Sequence, residues 1–314
     1  MSERKPNDEY KSEAPKKKKG LGLGPFRTVI LIVLIIALGV SSYLFFDSYL
    51  QYRAGDNLYQ TLEQSYVIVP ETATPPLNTP TPIPSAPVPS GDPGEIIDEP
   101  PPEPDDPEES ASAPAVRVQN YAPDVWPDVD WEGLRGVNPD TAAWLLCVGT
   151  NINYPVVYSR DNGDYIKTMF DGKTGKMGTL FVDARNSKGF ADRNNIIYGH
   201  NMRNHSMFWT LTQYKSQSFY NKHPAMRLIT PEGKYEIQLF AGIVTNATMV
   251  DTFWKLDFDS DEEYIEWIKM LFEHSTFKSY VDLSASDRVV TLSTCSYEFS
   301  NARYIVIGKL VPVS

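Results

Sequence analysis

The stretch "RVVTLSTCSYEFSNARYIVIGKL", residues 288–310, contains two apolar runs split by a short polar segment. The first, 288–295, is rich in Val, Thr and Leu and closes on Cys295. The second, 303–310, opens on Arg303 and is rich in Ile and Val. Short runs of β-branched and apolar residues bounded by Asn, Ser and Gly read as strands. With only "SYEFSNA" between them, the two strands are antiparallel neighbours, and Cys295 and Arg303 flank one short turn.

The same pattern extends toward the N-terminus. "AWLLCVGT", "YPVVY", "GTLFVDA", "NIIYGH", "AMRLIT" and "KYEIQLFAGIVTNAT" all read as strands, with "TPEGK" as a hairpin turn. Three stretches read as helical: "NPDTAAWLL", "SMFWTLTQYKSQSFYNKH" and "DSDEEYIEWIKMLFEHS". The last has acids in its first turn and an apolar stripe at Tyr264, Ile265, Ile268, Leu271 and Phe272. Strands dominate, so residues 120–314 are expected to form a mostly antiparallel β-barrel with peripheral helices.

The rest of the 314-residue chain has a different composition. Its 25 prolines concentrate between Pro70 and Pro127. Residues 70–119 are rich in Pro, Ser, Thr and acids, which predicts an extended, disordered linker. Residues 47–69 read as a juxtamembrane helical stalk, with Tyr49, Tyr52, Leu58, Tyr59 and Leu62 roughly on one face. Residues 29–46, "VILIVLIIALGVSSYLFF", form an uncharged run of about the length that spans a bilayer. The run is longer than a signal-peptide core and ends in "YLFFDSYLQY", an aromatic interface rather than a small-residue cleavage site. Residues 1–28 are a basic tail containing Lys16-Lys17-Lys18-Lys19, whereas no Lys or Arg lies between Arg53 and Arg117. The positive-inside rule then puts the tail in the cytoplasm and residues 120–314 outside, on a single-pass membrane protein.

A formal net charge of −11 argues against nucleic-acid binding, which needs cations to replace phosphate counterions. Two cysteines, Cys147 and Cys295, do not make a disulfide scaffold, and zinc-type spacing is absent. Cys147 lies inside the apolar "WLLCVG" and is expected to be buried and inert. Cys295 instead sits at a strand end beside a loop, where a rigid base presents functional groups.

A nucleophilic cysteine acts as its thiolate, and the ordinary thiol pKa is about 8.5, so it needs a base or cation nearby. Of four histidines, His200 also closes a β-run, "NNIIYGH", whereas His205, His223 and His274 lie in polar or helical contexts. Acyl transfer further needs a donor for the oxyanion. Arg303 offers a permanently charged, rigid fork of donors at the start of the next strand.

Together, "TLSTC", "YGHN" and an Arg eight residues after the Cys resemble the signature of the sortase family. "VNPDTAAWLLCVGTNINYPVVYSRDNGDYI", "GTLFVDARN" and "NNIIYGHNMRNHSMFWTL", with the helix over 260–274, resemble class B of that family over about residues 129–312. The resemblance implies a sortase-type barrel and a cysteine transpeptidase, with Cys295 as nucleophile, His200 in proton transfer and Arg303 stabilising the oxyanion. Asn153, Ser293 and Thr294 are the candidates for substrate contact. Asp183 and Glu298 are the acids that could stand beside His200, and Ser296 is expected to be replaceable without consequence.

The implied reaction cleaves a C-terminal sorting signal of a secreted protein through a thioacyl-enzyme. It then joins that protein to an amine of peptidoglycan or of a lipid-linked wall precursor. No metal or organic cofactor is implied. A pilin-polymerising sortase, with a lysine as the attacking amine, is the alternative within the family. A non-catalytic wall-binding module is the alternative outside it.

Overall fold

The computed structural model describes residues 25–70 and 125–313. The linker reading of 70–119 and most of the basic tail lie outside these residues. The chain divides into two compact units, Met1–Leu50 and Gln51–Ser314.

Helix α1, Pro25–Tyr66, supplies residues to both units. It is long and apolar enough to cross a membrane by length and composition. From Phe26 to Phe46 its large apolar side chains are exposed, as a lipid-facing segment requires.

In the second unit the order is β1 (Val67–Ile68), β2 (Asp128–Val129), α2 (Trp131–Val137), β3 (Thr141–Leu146), β4 (Asn153–Tyr158), β5 (Leu180–Val182) and β6 (Asn194–Tyr198). A 3₁₀ segment, Phe208–Lys215, leads into α3 (Gln217–Lys222), β7 (Ala225–Thr230), β8 (Gly233–Asn246), α4 (Val250–Phe253), α5 (Asp261–Glu273), β9 (Val289–Cys295) and β10 (Ala302–Val313). Eight strands close a barrel in the order β10-β8-β7-β3-β4-β5-β6-β9. Six of its eight neighbouring pairs are antiparallel, while β4–β5 and β6–β9 are parallel. The expected fold is therefore the observed one.

Both faces of the strands near the C-terminus are buried, and alternation sorts their side chains. Ile197, Val290, Leu292, Tyr304 and Val306 join an apolar cluster that draws on all eight barrel strands. Their neighbours Ile196, Val289, Ile305 and Ile307 join a second cluster under α5, with Tyr264, Trp267, Ile268 and Leu271. Helix α5 has the expected design: Ser260 caps it by accepting from the Glu263 N–H at 3.2 Å, and Asp261, Glu262 and Glu263 fill its first turn.

Two readings change. "NPDTAAWLL" is not a helix: Thr141–Leu146 is β3, wholly buried between β4 and β7. Its Ala and Leu favour a helix in isolation, but cross-strand pairing and burial override that propensity. Residues 51–66 do more than space the domain. Tyr59 and Leu62 are buried in the barrel's main cluster, and Val67 and Ile68 pair with Val129 and Asp128.

Candidate active site

The site is built on three adjacent strands. On the antiparallel pair β9–β10, Cys295 stands directly opposite Arg303. Directly opposed residues in such a pair have Cβ atoms about 4.5–5.5 Å apart and share a face. The parallel pair β6–β9 matches Tyr198 with Ser293, so two residues further on His200 draws level with Cys295.

Three hydrogen bonds stitch residues 199–201 to 293–295. The Gly199 N–H donates to the Ser293 carbonyl at 3.1 Å. The Thr294 hydroxyl donates to the Gly199 carbonyl at 2.8 Å. The Asn201 amide donates to the Cys295 carbonyl at 3.0 Å. Glycine is needed at 199 because a Cβ there would lie 2.3 Å from Leu180 Cδ2 and 2.7 Å from Phe208 Cδ2. The glycine of "YGHN" therefore has a packing reason.

Strand alternation puts Cys295 and Arg303 on one face, and counting on from Ile196 past the end of β6 gives His200 the same parity. Cys295 shares parity with Val289, Arg303 with Ile305 and Ile307, and His200 with Ile196. All four apolar residues belong to the layer beneath α5. The Cys295 thiol is half-buried rather than sealed.

Local partners fix the surroundings. His200 Nε2 lies 2.6 Å from the Ile166 carbonyl, in the long connection between β4 and β5. A carbonyl only accepts, so Nε2 is the nitrogen that donates to it, and Nδ1 is the ring's other nitrogen. Neither acid considered beside His200 bonds to it. Asp183 bonds to Arg185, Asn162 and Tyr198. Burial works against its charge, but these donors, with the Arg185 backbone N–H, hold its carboxyl down to about 2. Glu298 bonds to Lys215 and to the Ser296 hydroxyl, which outweigh its own partial burial and hold it at about 2. The Lys215 ammonium also reaches Ser296 Oγ at 3.1 Å and stands 5.3 Å from the centre of the Tyr304 ring. Ser296 is thus buried, with two charged partners. This network ties the segment after Cys295 to the 3₁₀ segment.

Arg303 Nη1 donates to the Ala302 carbonyl at 3.0 Å. Asn153, Ser293 and Thr294 lie beneath the surface: Asn153 Oδ1 accepts from Trp144 Nε1 at 2.6 Å, while Asn153 Nδ2 and Ser293 Oγ are buried without a partner. Cys147 is fully buried, 3.5 Å from the Tyr214 hydroxyl, and burial pushes its thiol pKa up. Neither cysteine forms a disulfide. Among the described residues no group of three His, Cys, Asp or Glu could hold a metal ion.

Sequence reasoning did not identify the Ile166 carbonyl, Asn201 or Lys215. A backbone carbonyl leaves no residue-type signal. Asn201 was legible only as the last letter of "YGHN", and Lys215 looked like one more cation in a helical segment.

No protein-family model matches the chain. It is 34% identical over 186 residues to sortase B of Staphylococcus aureus (strain NCTC 8325 / PS 47), covering 59% of this chain and 75% of that protein. It is 33% identical over 180 residues to sortase B of Listeria monocytogenes serovar 1/2a, covering 57% and 72%. Among solved structures, a Staphylococcus aureus sortase B–substrate complex superimposes with a TM-score of 0.55 at 33% identity, covering 59% of this chain and 85% of that one. Barrel, helices and sequence similarity agree: the chain belongs to the class B sortases, a family of cysteine transpeptidases.

Proposed function

We propose that Cys295, His200 and Arg303 carry out a transpeptidation that anchors secreted proteins to the cell wall. The observation that carries this reading is the pairing of Cys295 with Arg303 across β9–β10, with His200 two residues past the end of β6 in a segment stitched to β9.

In the first half-reaction the Cys295 thiolate attacks the carbonyl carbon of a Thr–Gly or Thr–Asn type bond in a C-terminal sorting signal. The carbonyl oxygen becomes an oxyanion, and the Arg303 fork donates to it. The tetrahedral intermediate collapses to a thioester. The leaving amine departs with a proton from the His200 imidazolium. In the second half-reaction an amine of a peptidoglycan peptide or lipid-linked precursor attacks the thioester, and His200 takes its proton. Water in place of that amine gives hydrolysis. An anchored enzyme and a substrate held in the same leaflet meet at raised effective concentration. The charge asymmetry about the apolar segment favours a cytoplasmic N-terminus and an external catalytic unit.

The test is mass spectrometry of the enzyme mixed with a panel of sorting peptides and amines. A Cys295-linked acyl adduct that is consumed by a wall-peptide amine is the expected result. Peptide cleavage without any adduct on Cys295 would sink the assignment. Preferential ligation to a lysine side chain of a pilin-like protein would favour the polymerising alternative.

A further inference from the structure

The Ile166 carbonyl that holds His200 Nε2 belongs to a connection of about twenty residues with little regular structure. Such a segment needs external support to hold a hydrogen-bonding atom in place. The support comes from the second half of α1. Tyr59 is buried, and its hydroxyl donates to the Gly178 carbonyl and lies 3.2 Å from Thr179 Oγ1. Burial pushes the phenol pKa up, so the hydroxyl remains a donor. Thr179 Oγ1 in turn donates to the Thr168 carbonyl at 2.8 Å, and the Thr179 N–H donates to the Tyr165 carbonyl at 3.0 Å.

Gly178 is the contact point. Its φ is +58°, and a Cβ there would lie 2.5 Å from both the Ile166 and the Tyr165 carbonyl oxygens. The backbone at 178 thus presses against the carbonyl that His200 uses. One turn earlier on the helix, Asp56 accepts from Asn204 Nδ2 at 3.3 Å, and Asn204 belongs to the loop that follows His200. The helix therefore touches the segments on both sides of the imidazole.

We propose that Tyr59 is a positioning residue for His200: it holds the Gly178 backbone against Ile166, whose carbonyl fixes Nε2 and leaves Nδ1 free. This rests on the reading of His200 as the proton-transfer group. Residues 51–66 are then part of the catalytic apparatus, not only its tether. Loss of the Tyr59 hydroxyl lets the 163–179 connection shift, and the ring loses its fixed tautomer and orientation. Small displacements of a catalytic group have large rate effects.

The test uses the full chain in detergent micelles with ¹⁵N-labelled histidine, and His200→Gln identifies the ring signals. Wild type should show His200 with Nε2 protonated. Tyr59→Phe should give a mixed tautomer signal and a kcat lower by about three- to tenfold, with KM within about twofold. Gly178→Ala should do the same more strongly. Gly172→Ala, which also has a positive φ (+78°) but open space around its Cβ, should leave ring and kcat unchanged. A His200 tautomer that stays as in wild type in folded Tyr59→Phe or in Gly178→Ala overturns the proposal, and so does an equal shift in Gly172→Ala. If Tyr59→Phe does not fold, the glycine pair decides. The ring spectra need no turnover, so a wild-type chain inactive on every peptide would count against the proposed function and not against this inference.

Discussion

Cys295 and Arg303 are non-local by only eight residues, yet they face each other as direct cross-strand partners on β9 and β10. A strand-start arginine is ordinarily a solvated cation, and its replacement changes stability by no more than about 0.5 kcal/mol. Opposite a nucleophile it has a second role, and the two roles make different forecasts. Arg303→Ala should fold as wild type by circular dichroism and lose about 100- to 1,000-fold in turnover of a cognate peptide. Arg303→Lys keeps the charge without the planar fork and should recover a minority of the rate. Near wild-type turnover in Arg303→Ala would remove the residue from the mechanism.

The two thiols should separate cleanly by access. Iodoacetamide under native conditions should label Cys295 alone, and both cysteines once the chain is unfolded. Cys295→Ala should abolish the acyl adduct, while Cys147→Ala should retain it at a cost of about 1 kcal/mol in stability for the lost buried contacts. An inactive but folded Cys147→Ala chain would show that the interior thiol matters to the site.

Asp183 makes acid stability testable. Its carboxyl pKa is lowered from 3.8 to about 2 by Arg185, Asn162 and Tyr198 against the opposing effect of burial. A depressed folded-state pKa stabilises the fold at pH values above the unfolded pKa. That contribution declines as pH falls from about 4 toward 2, and is worth about 2 kcal/mol in full. Asp183→Asn should therefore be less stable than wild type at pH 7, with the gap closing by pH 2 in denaturant titrations. A gap that does not narrow would mean that ionisation of Asp183 is not its source.

Truncation tests the helix directly. A chain starting at Gln51 keeps Tyr59 and Leu62 in the barrel cluster, whereas one starting near Tyr121 loses both and the β1–β2 pairing. Burying two such side chains contributes about 3–5 kcal/mol, so the shorter chain should unfold at clearly lower denaturant concentration. Equal midpoints would make the helix a passive spacer after all.

Much of the architecture was legible because strands announce themselves by composition and turn residues. "RVVTLSTC" and "RYIVIGKL" became β9 and β10, and the acid-capped, striped "DSDEEYIEWIKMLFEHS" became α5. Ala143–Leu146 read both ways, as strand in "AWLLCVGT" and as helix in "NPDTAAWLL", because a fully buried strand has no polar face and its period is invisible. The juxtaposition of Cys295 and Arg303 could be read from a short turn. That of His200 and Cys295 could not, since a parallel pairing across 95 residues leaves no local trace. Nor could the contacts of Tyr59, whose hydroxyl meets the Gly178 carbonyl and Thr179 Oγ1 about 120 residues away.

The parallel β6–β9 pairing has a consequence for the order of assembly. β6 and His200 are synthesised well before the partners they meet: Cys295 follows His200 by 95 residues and Arg303 by 103. No hairpin can bring β6 and β9 together, so the pairing waits for a slow, long-range closure. Until β9 has paired with β10 and β6, the thiol has no arginine opposite it and no imidazole level with it. A nascent chain arrested before Ala302 should accordingly carry an alkylatable Cys295 but form no acyl adduct with a sorting peptide.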